Sequence, residues 1–204
     1  MEKLAYILPL ASCAYLIVAC WWVRAFFDGK AGRKAEAHNL ADLDGSPPPF
    51  LPPVSVLKPV KGLDQGAYEN FASFCRQDYP VFELLFAVAD PADPVIPVIR
   101  QLQHDFPEVR VRLITEVPSV VANPKINSLL VLTKAAAHEI LVVSDSDMRV
   151  APDYLRRVVA PLANDNVGMV TCCYRGVSPT TLTAKLEALH MGVTFLPEVV
   201  VARR

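Results

Sequence analysis

Short apolar runs alternate along this chain with longer segments whose apolar positions recur every three or four residues. The runs 54-VSVLK-58, 82-FELLFAVA-89, 109-VRVRLIT-115, 139-EILVVS-144 and 167-VGMVTCCY-174 have the length and β-branched content of buried strands. Between them, 67-AYENFASFC-75, 94-PVIPVIRQLQHDF-106, 125-KINSLLVLTKAAA-137 and 153-DYLRRVVAPLA-163 carry helical spacing, with Asp153 as the natural cap of the last. A further helix is expected over 182-LTAKLEALHMGV-193, where Leu182, Leu186, Leu189 and Val193 share one side. Strands separated by amphipathic helices predict an α/β domain with a mostly parallel sheet covered on both faces.

The amino-terminal pattern differs. The run 4-LAYILPLASCAYLIVACWWV-23 has no charged residue and, as a helix, is long enough to cross the ~30 Å hydrocarbon layer. A cleaved signal peptide is the rival, but its apolar part is ~7–15 residues and ends in small residues. This run ends in Trp21 and Trp22, a pairing suited to a membrane interface. Residues 1–27 are therefore expected to be a single-pass transmembrane anchor. Arg24, Lys30, Arg33 and Lys34 follow it and only Lys3 precedes it, which predicts a domain facing the cytoplasm, at the inner or plasma membrane if the chain is bacterial. Residues 28–53, with 47-PPPFLPP-53, have linker composition, so the folded domain is expected over 54–204.

Charge excludes one class of partner. Twenty Lys and Arg balance 21 Asp and Glu, so no basic face for nucleic acid is implied. The five cysteines show neither CxxC nor zinc-ligand spacing, and reduced thiols are expected.

In parallel sheets ligands bind beyond the carboxyl ends of the strands. There this chain places Lys58 and Lys61 in 58-KPVKG-62, Asp90 in 88-VADPADP-94, and Asp145 and Asp147 in 143-VSDSDMRV-150. Lys125 and Asn127 of 122-ANPKINS-128 enter a helix at the same edge. If the D-x-D is extended, both carboxylates face one side, where one takes a cation and the other a ligand hydroxyl. Hard oxygen ligands suit Mg2+ or Mn2+, which in turn hold a diphosphate. Each residue also has a plainer reading: Asp90 in a turn-rich stretch, Lys125 as a solvated helix-start lysine, and D-x-D as turn chemistry.

In order, 56-VLKPVKG-62, 76-RQDYPVFELLFAVADPADP-94, 123-NPKINSLL-130 and 141-LVVSDSDMRVAPDYL-155 resemble the ceramide glucosyltransferases and their bacterial relatives, including glycosyltransferases associated with hopanoid biosynthesis. The resemblance runs from about Val54 to the C-terminus. It implies a GT-A (nucleotide-diphospho-sugar transferase) fold, a UDP-sugar donor, a membrane lipid acceptor such as a ceramide or hopanoid, Mg2+ or Mn2+, and inversion at the anomeric carbon. It further implies that Asp90 meets the uracil or ribose, that Asp145 and Asp147 form the metal and diphosphate site, and that Lys125 and Asn127 line it.

The sequence departs from that family at one end. No aspartate follows Asp165 to serve as the catalytic base, and no Arg-Trp pair follows the D-x-D. The expectation is a C-terminally truncated domain that keeps the donor half, with His190 and Glu198 as weak substitutes for the base. The apolar tail 195-FLPEVVVA-202 is left to pack on the sheet, a membrane or a partner chain. Two other classes stay open: a donor-binding remnant that transfers nothing, and a haloacid dehalogenase type phosphotransferase, whose nucleophile motif is also a strand followed by D-x-D.

Overall fold

The computed structural model describes residues 17, 18, 21, 50–172, 174, 176 and 181–190, apart from the side chains of 187–189. It divides into two compact units, Pro49–Gly168, and Met1–Pro48 together with Met169–Arg204.

In the first unit the chain runs β1 (Val54–Val60), α1 (Ala67–Cys75), β2 (Phe82–Val88), α2 (Ile96–Asp105), β3 (Arg110–Ile114), α3 (Pro124–Ala135), β4 (Ile140–Val143) and α4 (Tyr154–Val159). The four strands form one parallel sheet in the order β3-β2-β1-β4. The central strands β1 and β2 are buried along almost their whole length, which is why they read as unbroken apolar runs.

Alternation along the strands divides the core. Val54, Val56, Leu84, Phe86 and Val88 pack on one face with Phe71 and Phe74 of α1, Ile99 and Leu102 of α2 and Leu155 of α4. Leu57, Leu85 and Ala87 face the other way, onto Leu132 of α3. Two of the helices have a local start signal in the sequence. Gly66, at φ 75, turns the chain into α1. Asn123 caps α3 by accepting from the Lys125 N–H, with Pro124 in the first turn.

Two local expectations need correction. The segment 153–163 is not one helix: α4 stops at Val159 and a 3-10 turn, Ala160–Ala163, follows, because Pro161 has no N–H to continue the α ladder. Asp153 precedes α4 but its carboxylate caps nothing, and pairs instead with Arg157 at 3.6 Å. The run 167–174 forms no strand among the described residues, and Met169 is 81% exposed. An apolar run becomes a strand only where a ladder partner takes its N–H and C=O groups.

In the second unit Ile17, Val18 and Trp21 are helical and exposed, and α5 spans Leu182–His190 with Leu182 and Leu186 exposed. Among the described residues no helix is long and apolar enough to cross a membrane. Apart from Ile17, Val18 and Trp21, the anchor expected over 1–27 lies outside the described residues, as do most of the linker over 28–53 and the tail 195–202 with Glu198.

Candidate functional site

Three loops and one helix start meet the carboxyl edge of the sheet. The loop after β1 is the hub: Gly62 N–H donates to Asp93 Oδ2 of the β2 loop at 2.7 Å, and Asp64 Oδ2 accepts from Ser146 Oγ of the β4 loop at 2.8 Å. Asp93 is buried and its other oxygen takes the Val95 N–H at 2.9 Å, so a single carboxylate fastens both loops.

The β4 loop carries the D-x-D. The ladder between β1 and β4 ends at Leu57 and Val143, with Ser144 N–H donating to Leu57 O. Beyond it the backbone turns, with Met148 N–H directed at Asp145 O at 3.5 Å. Asp145 and Asp147 therefore sit on a turn rather than on the extended strand end that the alternation argument supposed.

Lys125, in the first turn of α3, forms an ion pair with Asp145 Oδ1, both side chains being about half exposed. The structure thus brings together two of the five candidates, with Asp147 exposed two residues further along the same turn. The other two are occupied locally. Asp90 Oδ1 accepts the Ala92 N–H at 2.8 Å within its own turn. Asn127 is buried, its Oδ1 accepting the N–H groups of Val120 and Val121 and its Nδ2 donating to Val121 O. It shapes the loop that leads into α3. Among the described residues no three His, Cys, Asp or Glu side chains gather as a metal-holding group. The donor set that fits a hard cation is Asp145 and Asp147 alone, where the Lys125 ammonium already stands as a positive partner. His190 is the last residue of α5, which belongs to the second unit.

Sequence patterning missed the supports beneath the site. Lys58 was marked without a role, as was Lys61. Lys61 is exposed, whereas Lys58 is fully buried, donating to Ser144 Oγ at 3.1 Å and Asp145 O at 2.9 Å, 3.7 Å from the centre of the Phe74 ring. Burial lowers its pKa to about 7, against the pull of Asp145 and Asp147 toward the charged form. A lysine inside a strand that is otherwise buried was the available signal.

Asn70, Ser73 and Gln77 were also missed, because polar residues at helical spacing resemble a solvated face. All three are buried and hold the chain that leaves the D-x-D turn. Arg149 Nε donates to Asn70 Oδ1 at 3.3 Å, and Val150 N–H to Ser73 Oγ at 3.1 Å. Gln77 donates to Ala151 O and accepts from Leu155 N–H.

Residues 4–204 match the family described as glycosyl transferase family 21. Ceramide glucosyltransferase 1 of Caenorhabditis elegans is 34% identical over 126 residues, 61% of this chain and 27% of that protein. Ceramide glucosyltransferase 3 of the same organism is 32% identical over 162 residues, 79% of this chain and 34% of that protein. The matched part of the chain thus spans about a third or less of these curated relatives. Among solved structures, a mannosyltransferase from Pyrobaculum calidifontis in complex with GDP-Man and Mn2+ superposes with a TM-score of 0.55 at 24% identity, over 79% of this chain and 48% of that one. At that identity the likeness speaks for the fold, a parallel sheet with flanking helices of the glycosyltransferase kind.

Proposed function

The chain belongs to glycosyl transferase family 21, and on that premise we propose that it forms the donor-binding part of a membrane-bound hexosyltransferase. The reaction is transfer of glucose or N-acetylglucosamine from a UDP-sugar to a hydroxyl of a membrane lipid, a ceramide or a hopanoid. The observation that carries this reading is the half-exposed ion pair between Lys125 and Asp145 at the carboxyl edge of a parallel sheet. A cation and a carboxylate paired there are what a diphosphate and its divalent metal would divide between them.

In this scheme Asp145 and Asp147 hold Mg2+ or Mn2+, Lys125 pairs with the diphosphate, and Asp90 meets the uracil or ribose. Asn127 acts through the Val120–Val121 backbone that it fixes. The metal, when bound, supplies neutralisation of the diphosphate as it leaves. The match to the family begins at residue 4, inside the apolar run, which supports an anchor as part of the working protein. The family match also sets aside the phosphotransferase reading.

Calorimetry with UDP-glucose and UDP-N-acetylglucosamine, with and without Mn2+, tests the proposal. Metal-dependent binding of one of them, lost in Asp147→Ala, is expected; absence of metal-dependent binding for both overturns it. A second reading, donor binding without transfer, takes the Lys125–Asp145 pair as a nucleotide-sugar grip and nothing more. Incubation with radiolabelled UDP-sugar and lipid extract separates the two, since a sugar–lipid product excludes the second.

A further inference from the structure

Three charged side chains are buried among the described residues: Lys58, Glu83 and Asp93. Asp93 fastens two loops, and Glu83 joins the strands by accepting from Ser55 Oγ and Ala137 N–H. Lys58 is different, because an apolar side chain of similar length would fill the space against Phe71 and Phe74 without the desolvation cost of an ammonium.

What the ammonium adds lies where the sheet ends. Ser144 makes the last ladder bond to β1, through its N–H to Leu57 O at 3.1 Å. The next carbonyl, that of Asp145, has left the ladder. Lys58 Nζ takes it at 2.9 Å, and takes Ser144 Oγ at 3.1 Å, so that the side chain of β1 continues the pairing that its backbone no longer makes. The same carbonyl opens the turn toward Met148, with Asp147 inside it.

From this juxtaposition we infer that Lys58 is a positioning residue for the donor site: its ammonium fixes the Asp145 peptide from below, and so sets the aim of the Asp145 and Asp147 carboxylates. It rests on the donor-binding reading above for what those carboxylates hold. The anchoring of the turn stands on the hydrogen bonds alone.

The test uses the 204-residue chain in detergent, as wild type, Lys58→Met, Lys58→Gln and the control Lys134→Met, an exposed lysine in the last turn of α3. Three quantities are read: the melting temperature, hydrogen exchange of the 145–149 amides without ligand, and affinity for UDP-sugar at saturating Mn2+. Lys58→Met is expected to melt at the wild-type temperature or above it, because a buried charge has been removed. Its 145–149 amides exchange about tenfold faster or more, and its donor affinity falls about tenfold, the size of one lost charged hydrogen bond to a partly buried carbonyl. Lys58→Gln, which keeps an N–H donor, falls between, and Lys134→Met behaves as wild type. A packing role alone would not move stability and donor affinity in opposite directions.

Unchanged exchange at 145–149 in a folded Lys58 variant overturns the inference, whatever the wild type binds. Failure of both Lys58 variants to fold also overturns it, in favour of a purely structural lysine. A wild type that binds no UDP-sugar, with a loosened turn in Lys58→Met, removes the donor reading and keeps the anchoring.

Discussion

Lys125 in the first turn of α3 is ion-paired with Asp145, just beyond β4, and neither side chain is buried. On the proposed reading the ammonium occupies one of the two carboxylates that would hold a divalent cation. A metal taking the same oxygen would repel the lysine, which would then pair with the diphosphate.

Lys125→Met should accordingly shift two affinities in opposite directions. Mn2+ without nucleotide binds more tightly, about threefold or more, because its competitor is gone. UDP-sugar at saturating Mn2+ binds about tenfold more weakly, for want of the phosphate partner. Titration followed by Mn2+ electron paramagnetic resonance reads the first and calorimetry the second; equal shifts in both would contradict the exchange of partners.

Glu83 ties the sheet together, accepting from Ser55 Oγ of β1 and the Ala137 N–H ahead of β4, with Arg110 of β3 at 3.4 Å. Burial by itself would raise its pKa, but the hydrogen bonds from Ala137 and Ser55, with Arg110 and His138 nearby, hold it below the ordinary 4.5. The unfolded chain then takes up the proton first as pH falls. The stability that Glu83 contributes is full above about pH 4.5 and is lost as pH drops through the lower, folded value. Glu83→Gln is expected to cost about 1–3 kcal/mol at pH 7 and progressively less below pH 4.5, measured by urea denaturation at both ends.

Asn127→Ala removes three hydrogen bonds to the Val120–Val121 backbone. A loss of about 1–3 kcal/mol is expected, with faster hydrogen exchange confined to residues near 120–121. Unaltered exchange there would show that the loop holds its shape without the amide.

Cys75 is buried at the end of α1, and burial pushes its thiol up to about 12. Iodoacetamide at pH 8 should leave Cys75 unmodified in the folded chain and label it once urea unfolds the protein, as read by peptide mass mapping.

The strand and helix order of the Pro49–Gly168 unit was legible from the sequence pattern, because β1 and β2 are buried on both faces, α1 and α2 each carry an apolar stripe, and α3 opens on an Asn-Pro cap. The break after Val159 was written in Pro161 and overlooked. The run 167–174 shows the opposite failure: composition gives the capacity to pair and says nothing about a partner. At the site, sequence found the half-exposed Lys125 and Asp145 because charged residues at strand ends stand out. It missed the role of Asp93, lost among turn residues, and of Asn70, Ser73 and Gln77, since a helix face that hydrogen-bonds a neighbouring backbone has the same letters as one that meets water.

That buried polar face of α1 makes the chain leaving the D-x-D turn a passenger of the helix. Arg149 and Val150 bond Asn70 and Ser73 of the helix, and Ala151 and Leu155 bond Gln77 just past its end, so a shift in how α1 seats on the sheet would be carried to the proposed donor edge. Drift in donor preference within such a scaffold can begin at the helix, far from any atom that meets the sugar.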